Sequence, residues 1–92
     1  MALQITEKKG IFYLKGKINC STVRSFIIHF EHCILQNRKT TINIDKIKEI
    51  DYEGVKAIKT LMAIALRNQK LFAAIGYNAK DVHDRFDSVN VA

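Results

Sequence analysis

Apolar residues alternate with polar ones at the start of the chain, then recur every three or four positions. That change of period divides the sequence into elements. In "LQITEKKGIFYLKGKIN", Leu3 and Ile5 alternate with polar neighbours, Lys8-Lys9-Gly10 supplies a turn, and Phe12 and Leu14 alternate with Ile11 and Tyr13. A period of two on both sides of a turn predicts two short strands. Gly16, near the end of the second strand, predicts a bulge or a close backbone approach. From Thr22 to Asn37 the apolar positions are Val23, Phe26, Ile27, Phe30, Cys33 and Ile34, one face of a helix. Asn19 or Ser21 is its expected cap, and Arg38 and Lys39 close it.

"TTINID" reads as a third strand, with Ile42 and Ile44 pointing one way. Ile47 and Ile50 then anchor an intervening loop, "KIKEI", to the core. Asp51 is a good N-cap for a second helix. Val55, Ile58, Leu61, Met62, Ala65 and Leu66 make the apolar face of that helix, with Lys56, Lys59 and Arg67 outward. "KLFAAIG" is too short for a helix and reads as a strand ended by Gly76. Asn78 caps a last short helix through Phe86, with Asp81 in its first turn. Residues 87–92 are left between a frayed tail and a short edge strand.

The predicted order is β-β-α-β-α-β-α. Strands separated by single helices imply parallel, right-handed crossovers, and the opening hairpin makes the sheet mixed. The expectation is therefore one α/β domain over residues 1–92, with its core in 3–86 and a mixed sheet of four or five strands packed against helices. Phe12, Leu14, Phe26, Ile27, Phe30, Ile42, Ile44, Ile58, Leu61, Met62 and Phe72 are the expected core.

Ninety-two residues allow one small core. No apolar run approaches the roughly 20 residues of a bilayer span, and "MALQITEKKG" is not patterned as a signal peptide. The expected setting is the cytoplasm, without membrane insertion. Fifteen Lys and Arg against nine Asp and Glu give a charge of +6, which admits nucleic acid, an anionic surface or an acidic partner. The basic residues are scattered in pairs, however, and no aromatic residues interleave with them as base stacking requires.

Catalytic chemistry finds little support. Cys20 and Cys33 form no C-x-x-C pair, and Cys33 falls on the apolar side of its helix as a reduced thiol. His29, His32 and His83 lack metal-ligand partners at useful spacing. Neither a G-x-G-x-x-G motif, a phosphate loop nor a nucleophile elbow occurs. Asp45, Asp51 and Glu53 lie near strand ends, but capping and nearby lysines explain them more simply than a metal or acid–base site. The sequence predicts no enzyme and no cofactor.

The stretch "EIDYEGV", residues 49–55, asks for more. The free N–H groups and dipole of a helix start favour negative charge, and Glu53 sits at about the second helical position. As plain scaffold, Asp51 caps, Glu53 complements the dipole and Gly54 permits close packing. Yet "LKGKIN", then "TINIDKIKEIDYEGVKAIKTL", then "KLFAAIGYNAKDVHDRF" together resemble the STAS family, the sulphate-transporter and anti-sigma-factor-antagonist domains. The family pattern runs through a glycine-containing second strand, a helix, a strand of the form "vvlDls", the loop and helix "iDSSGl", and a strand leading to a short helix. The resemblance covers residues 3–86 in order.

It implies a regulatory protein-binding module. In the family, the serine before the glycine is phosphorylated by a partner kinase that doubles as an anti-sigma factor, and the phosphate breaks the complex. By position, Asp51 and Gly54 are retained, Tyr52 stands for the first serine, Glu53 for the phosphorylated one, and Asn19 for an acidic residue after the second strand. Glu53 cannot be phosphorylated as serine is. A carboxylate carries about one charge where a phosphate carries nearly two. STAS proteins also act as regulatory subunits of lipid-transporter ATPases and as scaffold parts of signalling assemblies. The expected partner-binding surface is Asp45, Lys46, Asp51, Tyr52, Glu53, Gly54, Lys56 and Lys59, facing an anti-sigma-factor kinase or a transporter ATPase. The rivals are a small basic nucleic-acid-binding domain and, behind it, an enzyme using Asp51 and Glu53.

Overall fold

Two residues at positive φ, Lys9 at 54° and Gly10 at 81°, turn the chain between β1 (Leu3–Lys8) and β2 (Ile11–Ile18). Two-residue hairpin loops of this twist match the right-handed twist of the strands they join, and glycine takes the second position without strain. The computed structural model describes residues 3–76. After β2 come α1 (Val23–Gln36), β3 (Lys39–Ile50), α2 (Tyr52–Arg67) and β4 (Leu71–Ile75). The strands lie side by side in the order β1-β2-β3-β4, the first pair antiparallel and the other two parallel. This is the mixed α/β sheet that the sequence predicts. The helix expected over 78–86 and the tail 87–92 lie outside the described residues.

Both crossovers join neighbouring strands in the same direction, so right-handed connections set α1 and α2 on one face of the sheet. Burial agrees. Phe12, Leu14 and Ile18 of β2 and Thr40, Ile42, Ile44 and Ile47 of β3 are buried under the helices. Phe30 is at the centre, edge-on to Phe12 and Phe26 at 5.2 Å and to Phe72 at 6.4 Å. Of the expected core, Ile27, Met62 and Phe72 are only half-buried at its margin. Ile18, Ile47, Val55 and Ile64 join it instead.

Three local expectations are corrected. "KIKEI" is not a loop but the second half of the twelve-residue β3. Between Tyr13↔Asn43 and Lys15↔Lys46, and again between Gly16↔Ile47 and Lys17↔Glu49, β3 advances one residue further than β2. These two bulges break the alternation of burial and disguise a strand as a loop. Gly16 sits at the irregularity with φ of 113°, which a residue with a Cβ adopts only under strain. Leu66 does not lie on the buried face of α2 but is 80% exposed, and Ala57 and Ile64 are buried there instead. The N-cap of α1 is Thr22, whose side chain makes no capping bond. Asn19 serves the helix start through its backbone, its carbonyl accepting the N–H groups of Thr22 and Val23 at 2.9 Å.

Candidate functional site

The start of α2 is built by one carboxylate acting in two directions. Asp51 is extended, with ψ of −175°, and its Oδ1 accepts the Gly54 N–H at 2.8 Å, satisfying the third helical position. Its Oδ2 accepts the Cys20 N–H at 3.2 Å, tying the helix start to the loop between β2 and α1. The Asp51 N–H in turn donates to the Ile18 carbonyl at 3.2 Å. The N–H groups of the first helical residues, Tyr52 and Glu53, have no intrahelical acceptor and point out of the tip.

Gly54 makes this approach feasible. A Cβ on it would run into the Ile18 carbonyl oxygen and come within 2.9 Å of Ile50 Cγ2. The helix start is thus pressed against the ends of β2 and β3, and only glycine fits there. Tyr52, 61% exposed, and Glu53 stand outward. Lys56 approaches both, its Nζ 3.8 Å from Glu53 Oε1 and 5.5 Å from the Tyr52 ring centre. With both side chains about half exposed, this ion pair contributes little to stability.

The structure brings the β2–α1 loop to the same tip. Asn19 donates from Nδ2 to Glu49 Oε1 at 3.1 Å, while its Oδ1 accepts the Ser21 N–H and hydroxyl at 3.0 and 2.7 Å. Asn19, Cys20 and Ser21 therefore share the rim with Asp51 and Glu53. Asn19 and Ser21 are candidate caps by position, and the resemblance sets Asn19 where the family carries an acidic residue; nothing local marks Cys20.

The predicted docking set divides in two. Asp51, Tyr52, Glu53, Gly54 and Lys56 form the tip, with Lys59 further along α2. Lys46 pairs in register with Lys15. It lies five residues before Asp51, about 16 Å away along an extended strand. Asp45 lies by the end of β4, its Oδ1 2.7 Å from where a Cβ on Gly76 would be. Asp45 and Lys46 thus lie further back along β3 than the helix start.

Chemistry elsewhere is sparse. Among the described residues, no group of three or more His, Cys, Asp or Glu side chains is placed to hold a metal. A groove of about 770 Å³ between β1 and α1 is lined by residues such as Leu3, Ile5, Ser25, Phe26 and His29, with no carboxylate or thiol among its described lining residues. Among the described residues, no helix is long and apolar enough to cross a membrane. Cys20 and Cys33 are both free thiols, Cys20 exposed at the tip and Cys33 half-buried.

No sequence-family model matches the chain, and no curated protein matches it in sequence. Solved structures do. An anti-sigma factor antagonist from Mycobacterium paratuberculosis superposes with a TM-score of 0.68 at 10% identity, over 96% of this chain and 78% of that one. The anti-sigma factor antagonist SpoIIAA in its unphosphorylated form gives 0.65 at 13% identity, over 99% and 100%. The STAS domain of an antisigma-factor antagonist from Rhodobacter sphaeroides gives 0.61 at 16% identity, over 84% and 87%. With a mixed sheet in the order β1-β2-β3-β4 and both crossover helices on one side of it, this chain has the fold of the STAS domain of anti-sigma factor antagonists.

Proposed function

We propose that this chain is a non-catalytic, cytoplasmic regulatory module that binds a protein partner through the tip of α2, and that phosphorylation at Glu53 does not switch it. The observation that carries this reading is the exposed carboxylate side chain of Glu53 on a tip capped by Asp51 and sealed by Gly54. One of the neighbouring folds, SpoIIAA, is described in both phosphorylated and unphosphorylated forms. By its motif resemblance to the STAS family, Glu53 stands at the position of the family's phosphorylated serine. A carboxylate there supplies negative charge beside the N–H groups of the helix start without a kinase. The tip is thereby held in one binding state.

The tip also limits what a partner meets. Tyr52 offers an aromatic face, Lys56 and Glu53 a paired cation and anion, and the β2–α1 loop a row of small polar groups. Aromatic anchors surrounded by polar rims are the usual makings of a protein docking patch. A kinase-like anti-sigma factor and a transporter ATPase would both address this surface, and capture from native cells followed by mass spectrometry tells them apart.

The test is a binding titration of wild type, Glu53→Ser and Glu53→Gln against the captured partner. All three should fold alike, because Glu53 gains only about 0.3–1 kcal/mol from the helix field. Affinity should differ between wild type and both variants by severalfold or more. Equal affinities for the three proteins would reduce Glu53 to a helix-start residue and overturn the reading.

A further inference from the structure

We infer that the face of the sheet opposite α1 and α2 is a docking surface for an anionic lipid bilayer. The burial alternation and the strand register decide which side chains stand on it. Lys8, Lys15, Lys17, Lys39 and Lys46 all alternate with, or pair beside, residues whose neighbours are buried under the helices. Tyr13, Leu71 and Ile75 share this face and are 40%, 64% and 38% exposed. Two carboxylates are near. Glu49 is paired with Lys17 in register and engaged by Asn19, and Asp45 is at the bulge beside Gly76.

The most informative pair is Lys15 and Lys46. They are register partners on adjacent strands, whose backbones lie about 4.8 Å apart. Like charges directly opposite each other destabilise a sheet. Neither lysine takes part in an ion pair among the described residues. The fold gains nothing from this arrangement, whereas an external anion relieves it.

Three kinds of anionic occupant compete, and composition separates them. Nucleic acid calls for stacking platforms and planar guanidinium groups, but among the described residues this face offers one ring, Tyr13, and its cations are lysines. Protein interfaces are enriched in arginine and depleted of lysine. A charged leaflet, by contrast, needs only point charges spread over a flat area, and each lysine close to it adds to the attraction. The lysine stems can lie along the sheet with their ammonium groups outward. Leu71, Ile75 and the amphipathic Tyr13 then meet the headgroup region. The surface is distinct from the α2 tip and does not depend on what the tip binds.

Vesicle co-sedimentation tests the inference, using phosphatidylcholine alone and phosphatidylcholine with a third of phosphatidylglycerol. The full chain should sediment only with the anionic vesicles, and less as salt rises. Each lysine near the leaflet is worth about fivefold in affinity, so Lys15→Glu with Lys46→Glu should lower it on the order of 25-fold or more. Lys15→Gln with Lys46→Gln, which leaves a neutral pair, should give a smaller loss with a thermal melt no lower than that of wild type. Leu71→Gln should weaken binding at every salt concentration without altering the salt slope. Equal sedimentation with both vesicles, or anionic binding untouched by the lysine variants, overturns the inference. So does a chain that ignores vesicles but is held by polyglutamate or RNA through the same lysines, since the face then belongs to a different partner.

Discussion

Thr40 is the one described side chain whose buried polar atom finds no partner: its Oγ1 is without a hydrogen bond, in a residue 1% exposed. A buried hydroxyl left unpaired loses its water and gains nothing in return. Valine has nearly the same shape and suits a strand, so Thr40→Val should stabilise the fold by about 1 kcal/mol or more. An upward shift of the denaturant midpoint at constant m-value checks it. Cys33 differs from Cys20 in the same spirit. Burial first, and the nearby Glu7 carboxylate second, push the Cys33 thiol above its ordinary value. A raised folded-state pKa means that the folded protein holds this proton more tightly. Its contribution is complete below the ordinary thiol range and is lost as pH rises through it toward the folded value. Wild type should therefore lose stability over Cys33→Ala as the solution passes above about pH 9. At neutral pH, iodoacetamide should label the exposed Cys20 well before Cys33. A pH-independent difference between the two proteins, or equal labelling rates, would refute this account.

At the scale of elements, what could be read in advance was whatever kept a regular period. The hairpin, both helices and the short β4 follow alternation or three-four spacing, and each stands where the pattern puts it. β3 could be followed only to Asp45. There one bulge sets Ile44 and Ile47 three residues apart and a second does the same for Ile47 and Ile50, and a broken period resembles a loop. The helix start was legible for a different reason: Asp followed three residues later by Gly is a local device. What no local pattern reveals is that the same carboxylate reaches the Cys20 N–H, 31 residues earlier in the chain. Asp51→Ala should remove both bonds and destabilise by about 1–2 kcal/mol. Asp51→Ser should retain the Gly54 cap and lose only the tie to the β2–α1 loop, so its cost should be the smaller. Chemical denaturation of the two variants measures the split. Equal losses would mean that the bond to Cys20 contributes nothing.

The whole molecule is held by a core that no single layer owns. Phe30 comes from α1, yet its ring stands edge-on to Phe12 of β2, to Phe26 one turn earlier and to Phe72 of β4. It is fully buried, together with Ile34, Ile42, Ile58 and Leu61. Such rings gain from their edge-to-face geometry as well as from leaving water. Removing this one leaves a cavity walled by both helices' side of the sheet, which cannot close without moving an element. Phe30→Ala should therefore cost about 3–5 kcal/mol. Small domains have only about 5–15 kcal/mol to lose, so the melt should move down steeply or disappear. Phe72 gives the control. It touches the same ring at 6.4 Å but is only half-buried at the margin, so part of its space is already open to solvent. Phe72→Ala should cost clearly less than Phe30→Ala and remain a cooperative unfolder. If the two variants lose the same stability, or if Phe30→Ala melts like wild type, the core does not converge on Phe30.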